Sequence, residues 1–418
     1  MNSLTVLFVA ALLGETVIRL WLATRQIRAV NTHRDRVPDL FAGQVALPEQ
    51  QRAADYTAAR VRMGRWATLF EAALKLALTL GGGLAALEAL VRHADWREPW
   101  QGTFLVLTVL FVLQLVGLPF ALWRTFRIEA RFGFNRISPG LFALDLAKRS
   151  ALGLALGGPL ILATLALMER AGSRWWVWAW LVWLGVSVVL TWAAPRFIAP
   201  LFNRFSPLTD ESLRKRVEAL LARCGFAAGG GVFVMDGSRR SAHGNAYFTG
   251  IGRNKRIVFF DTLLERIDLD EIEGVLAHEL GHFRLHHVRQ RLAVSALTML
   301  AGLALLGWLA AQPAFYTALG APGEASPAMA LLLFLVAVPV FTFFATPLEA
   351  WWSRRQEREA DDFAIGYASP AKLAGALVKL YRDNATTLTP DPVHSAFFDS
   401  HPPALERIAR LERYAAAR

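Results

Sequence analysis

The chain has 418 residues, 54% of them hydrophobic and only 19% charged, with a mean hydropathy of +0.34, which excludes an ordinary soluble protein of this length. The formal net charge of +11 is read not as a nucleic-acid footprint but as the basic loops of a membrane protein, where Lys and Arg collect for topological reasons. A single cysteine, Cys224, excludes an intrachain disulfide and any cysteine-rich metal site, so a metal here would need His, Asp or Glu ligands.

Crossing a bilayer takes roughly 20 apolar residues, and seven segments qualify, near 3–24, 66–91, 102–123, 151–169, 175–194, 290–311 and 327–350. The first is not read as a cleaved leader, because it lacks a basic n-region and contains Glu15 and Arg19. Glu71, Lys75 and Glu88 lie in the second span. Glu71 and Lys75 are four apart and would either pair on one helix face or look into a hydrated interior. Segment 25–65 carries eight arginines and 124–150 carries six basic residues, whereas 92–101 and 170–174 have two arginines each and 312–326 has no Lys or Arg. That alternation puts the N-terminus outside and places both 195–289 and 351–418 in the cytoplasm.

Four parts follow: a five-helix membrane region with cytoplasmic loops over 1–194, a cytoplasmic α+β part over 195–289, two more spans over 290–350, and a cytoplasmic tail over 351–418. Within the second part, 209–224 has helical periodicity behind an N-cap at Thr209 or Asp210. Gly231–Met235 reads as a strand, and Asn245–Thr249 with Arg256–Phe260 as a hairpin around the turn I-G-R-N. A helix starts near Asp270 and is expected to run on into the sixth span.

That helix carries V-L-A-H-E-L-G-H-F-R-L-H-H, residues 275–287, with four of the nine histidines of the chain. Residues four apart share a helix face, so His278 and His282 project together with Glu279 beside them. This is H-E-x-x-H, two imidazoles able to hold one zinc ion and a carboxylate placed as general base. After the seventh span, S-R-R-Q-E-R-E-A-D-D-F-A (353–364) puts Glu357 and Asp361 on one face in the same way. One carboxylate would complete the metal site and the other would orient a ligand histidine, while a solvated, charge-laced helix end is the plain alternative.

The chain also resembles a known family, the zinc-dependent CAAX prenyl endopeptidases. The resemblance rests on S-A-H-G-N-A-Y-F-T-G-I-G-R-N-K-R-I-V-F-F-D-T-L-L (241–264), H-E-L-G-H, the 353–364 segment, S-H-P-P with R-I at Ser400–Ile408, G-F-N-R (133–136) and F-I-A-P-L-F-N-R-F-S-P-L (197–208). It covers most of the chain and is weakest before about residue 60.

The resemblance implies a mostly α fold: seven transmembrane helices enclosing a chamber, with a small α+β zinc-protease domain. It makes His278, His282 and Glu357 the ligands of one Zn2+ per chain and Glu279 the catalytic base. Asp361 would stand behind a ligand histidine or donate a proton. Asn245 would lie on an edge strand beside substrate, and His401 and Arg407 would hold substrate or the developing oxyanion. The implied activity is an integral membrane endopeptidase like those that remove C-terminal tripeptides from prenylated proteins. Its partners would be the bilayer and a peptide or protein substrate, lipidated or membrane-embedded, with no nucleic acid.

Glu359 departs from the uncharged residue expected in eukaryotic members, but touches no ligand in this reading. High Ala, Arg and Trp, short loops and an ending R-Y-A-A-A-R with no retrieval signal point to a bacterial inner membrane. A quality-control protease acting on unprenylated apolar segments is the alternative, ahead of a non-enzymatic seven-helix transporter. His286 and His287 are expected at the membrane interface without a direct role, and His243 is placed near Asn245 with no role assigned.

Overall fold

The structure, a computed structural model, describes every residue except Met1, 94–95, 227–230, 250–255, 323–325 and Arg418. Among the described residues, six single helices are long and apolar enough to cross a membrane: Ser3–Thr32, Trp100–Glu129, Pro139–Arg170, Gly172–Phe202, His287–Ala310 and Pro327–Tyr367. A bent pair, Leu47–Leu78 and Gly83–Arg92, makes a seventh, turned by 53° at its break. The break falls in G-G-G, where Gly82 has φ 73°, a backbone conformation that costs glycine little. The arginine-rich stretch expected as a loop is largely helical, because the first helix runs on to Thr32 and the second begins at Leu47.

The spans pack through one apolar cluster that includes Leu12, Val106, Leu165, Met329 and Leu332. Their outward faces leave Leu13, Phe111, Leu154, Val189 and Leu297 exposed, as a lipid-facing surface requires. Glu15 is buried, accepts from Arg19 Nε at 2.8 Å and from Lys75 Nζ at 3.1 Å. Of the two alternatives for Lys75, the local pair with Glu71 is not formed, and Lys75 instead pairs with Glu15 on another helix. A half-buried lysine in a bundle gains more from the buried Glu15 carboxylate than from the exposed Glu71.

A second apolar cluster joins residues 208–280 to the tail, with Leu220, Phe259, Leu276, Ile408 and Leu411 among its members, and Phe41 reaches it from the membrane half. Asp210 caps the helix Glu211–Arg223. Four strands, β1 (Phe205–Pro207), β2 (Val232–Met235), β3 (Ala246–Thr249) and β4 (Arg256–Phe260), form a sheet in the order β1-β2-β4-β3. β3 and β4 pair antiparallel with Tyr247 opposite Val258; the I-G-R-N turn between them lies outside the described residues. β1 and the parallel pairing of β2 with β4 had no signal in the sequence.

The motif helix spans Leu269–Arg284 and opens with a capping box: Asp268 accepts from the Glu271 amide and Glu271 accepts from the Asp268 amide. It does not run on into the sixth span. The chain turns at His286, which has φ 60°, and a new helix starts at His287.

Candidate active site

Two helices build the site. The motif helix brings His278, Glu279 and His282, and the helix Thr346–Tyr367 brings Glu357 and Asp361. They cross where Gly281 faces Ala360: a Cβ at Gly281 would stand 3.0 Å from both Cα and O of Ala360. The glycine of H-E-L-G-H is thus the point at which two backbones touch, and that approach brings ligands from the two helices together.

The Nε2 atoms of His278 and His282 are 3.3 Å apart. Each lies 3.3 Å from a different oxygen of the Glu357 carboxylate. Four-coordinate zinc with bonds of about 2.0–2.1 Å has ligand atoms roughly 3.3–3.4 Å apart, so these spacings match a tetrahedral edge. Glu357 is 4% exposed, and its Oε2 accepts no hydrogen bond. Its nearest polar neighbours are nitrogens of His278 at 3.3 Å and His401 at 3.4 Å. Two facing imidazole nitrogens and a buried carboxylate that accepts no proton fit a divalent cation, and these three residues form the one candidate metal group found among the described residues.

Behind His278, Nδ1 lies 2.8 Å from Asp361 Oδ1. A carboxylate only accepts, so Nδ1 carries a proton, and in the neutral ring Nε2, the nitrogen facing His282 and Glu357, is the one that would offer a lone pair to a metal. Asp361 is held in turn by Arg407, whose Nε and terminal nitrogen donate at 2.9 and 2.7 Å. Both Asp361 oxygens are occupied, which fits a group that orients His278 better than a proton donor. Arg407 is 5% exposed, and with two nitrogens committed to Asp361 only Nη1 faces Glu357, at 3.9 Å. Its first partner here is the buried Asp361 charge, which needs one, and it lines the cavity as well.

Glu279 is half-buried. Burial pushes its pKa up from the ordinary glutamate value, against the pull of His278 and His282. It lines a cavity of about 1130 Å³ together with Asn245, His278, His401 and Arg407. Tyr56, Arg60 and Arg124 close that cavity from the membrane half. Asn245 is exposed at the start of β3, the end strand of the sheet, where its Oδ1 accepts from the Ala246 amide at 2.9 Å. His401 is exposed to the cavity and hydrogen-bonded to Ser400 at 2.9 Å. Burial at the site lowers its pKa, and the nearby Glu357 raises it.

Of two further histidines, His243 lines the cavity with Asn245, and only His287 sits elsewhere than expected. His243 stacks on Phe134, centroids 4.2 Å apart, and meets Asn384 Oδ1 at 3.2 Å, joining G-F-N-R of the membrane half to the protease half. His287, expected at the membrane interface, is 1% exposed and packs against His282. No spacing rule announced that contact, since it depends on the turn at His286.

A bundle of membrane spans carrying an H-E-x-x-H helix, a glutamate from a second helix and an open cavity beside them defines a membrane metallopeptidase. Comparison with known proteins agrees. Residues 26–204 match the family description "CAAX prenyl protease N-terminal, five membrane helices" and 207–415 match peptidase family M48. The CAAX prenyl protease 1 homolog of Arabidopsis thaliana is 35% identical over 72% of this chain and 70% of its own. The Homo sapiens homolog is 30% identical over 97% and 95%. The crystal structure of S. mikatae Ste24p superposes with a TM-score of 0.91 at 26% identity, covering 99% of this chain and 100% of that one. The chain belongs to the CAAX prenyl protease family of M48 membrane metallopeptidases, as the motifs led one to expect, and its substrate is a peptide or protein.

Proposed function

We propose that this protein is a zinc endopeptidase with one Zn2+ per chain on His278, His282 and Glu357, acting on apolar or lipidated peptides delivered from the bilayer. The observation that carries it is the triangle of ligand atoms at 3.3 Å beside Glu279. Zinc in such a site supplies Lewis acidity, polarising the scissile carbonyl and lowering the pKa of water toward about 7. Glu279 takes the proton of the attacking water and returns it to the leaving amine. Asp361, clamped by Arg407, keeps the Nδ1–H tautomer of His278. The peptide docks as an added strand against β3 near Asn245, and His401 donates toward the oxygen that gains charge.

The loop charges support an outside N-terminus and a cytoplasmic site, and the composition and short loops support placement in a bacterial inner membrane. On the same reading 1–194 and 290–350 form the membrane part, and 195–289 with 351–418 form the protease part.

Cleavage by purified protein of one C-terminal peptide, farnesylated and unmodified, tests the substrate. Faster turnover of the farnesylated form is expected; equal rates favour quality-control proteolysis of apolar segments. Topology can be read by labelling. Gly323, in the loop without Lys or Arg, lies outside the described residues, but Ser173 is exposed and the native Cys224 is buried. Ser173→Cys should be labelled from outside the cell, and labelling from inside alone overturns the orientation.

A further inference from the structure

His287 stands between the metal site and a carboxylate. Its Nδ1 is 2.9 Å from His282 Nδ1, and its Nε2 is 3.1 Å from Glu359 Oε2. The other Glu359 oxygen accepts from Arg355 Nε at 2.9 Å. Proton positions follow from what each atom can do. A carboxylate only accepts, so His287 carries its proton on Nε2. Its Nδ1 is then bare and accepts from Nδ1–H of His282. That leaves a lone pair on His282 Nε2, the atom facing His278 and Glu357. Each link sets the tautomer of the next, and the series ends on a nitrogen ready for a metal.

We propose that His287 and Glu359 are positioning residues for the ligand His282, fixing its tautomer and ring orientation as Asp361 does for His278. The proposal deepens the zinc reading and rests on it. One helix then secures the site at three points: Glu357 at the metal, Asp361 on His278, and Glu359 through His287 on His282. The left-handed turn at His286 supports a built arrangement. A non-glycine residue in that region is strained and persists only where its surroundings demand it. Here it separates the two helices and brings the first residue of the sixth span against His282 in the last turn of the motif helix. The competing account is an ordinary surface pair of Arg355 with Glu359, worth little, with His287 as mere packing.

Zinc affinity, measured by competition with a chromogenic chelator, separates the two, alongside the melting temperature of the metal-free proteins. His287→Ala should weaken zinc by about 10–100-fold, the usual cost of losing such a partner. His287→Asn offers an amide oxygen in place of Nδ1 and should bind close to the parent. Glu359→Gln can still accept from His287 Nε2–H and should also stay close, whereas Glu359→Ala should fall below it. Tight zinc in a folded His287→Ala overturns the relay, and so does His287→Asn binding as weakly as His287→Ala. If His287→Ala does not fold, unchanged affinity in Glu359→Ala overturns it instead. A parent that binds no zinc overturns the zinc reading and the relay together, whereas a tight parent with an unaltered His287→Ala overturns the relay alone.

Discussion

Replacing Gly281 by alanine tests how the two ligand helices are held. The added methyl would meet Cα and O of Ala360 at 3.0 Å and Cβ of Phe363 at 3.2 Å, where ordinary contact begins at 3.4 Å. Two of the three obstacles are backbone atoms that cannot swing aside. The helices must therefore part by roughly 0.4 Å, on the order expected for an overpacked contact. Glu357 lies one turn before Ala360 and His282 directly after Gly281, so the parting stretches the 3.3 Å separations that suit zinc. Overpacking of this kind costs about 1–3 kcal/mol. Expressed in ligand separation, that is a loss of roughly 5- to 150-fold in zinc affinity. Chelator competition on the purified variant reads the affinity, and thermal melting of the metal-free protein reads the strain on the fold. A Gly281→Ala protein with both unchanged would refute the argument that this crossing sets the site.

Glu279→Gln should keep zinc and fold but lose about 10²–10⁴-fold in turnover, since an amide cannot take the proton; retention of more than about a tenth of the rate contradicts the base role. His401→Ala should leave zinc content and KM near the parent values while turnover falls roughly 10²–10³-fold. Unchanged turnover removes His401 from the site. Arg407→Ala leaves Asp361 buried without its partner, a loss of about 3–5 kcal/mol. Arg407→Lys should recover only part of it, because one ammonium cannot hold both oxygens. Equal melting temperatures for Arg407→Ala and the parent argue that the clamp is not needed.

Much of this architecture was legible because it is written in local periodicity. The spans announce themselves by apolar length, and β2, β3 and β4 by short β-branched and aromatic runs. H-E-x-x-H and E-x-x-x-D announce themselves by their spacing of four. What stayed hidden depends on distant geometry. Lys75 has a carboxylate one turn away but takes Glu15 from another helix, a choice made by burial. The three residues of β1 are too few to show alternation. The left-handed His286 carries no glycine or asparagine to mark it, so the helix seemed continuous and the contact of His287 with His282 could not be foreseen. The resemblance put Arg407 in the cleft, where it lies, but gave no sign of its clamp on Asp361.

The order in which the ligands appear along the chain has a consequence for how the enzyme comes into being. His278 and His282 precede the sixth span, Glu357 follows the seventh, and Arg407 lies near the end of the sequence. On the proposed topology and ligand set, a ribosome that has finished residues 195–289 has made a base and two imidazoles but no third ligand. The two intervening helices must enter the bilayer and return the chain to the same side before Glu357 can arrive. On that reading metal capture waits on membrane insertion, and the nascent protease stays inert until it is correctly housed.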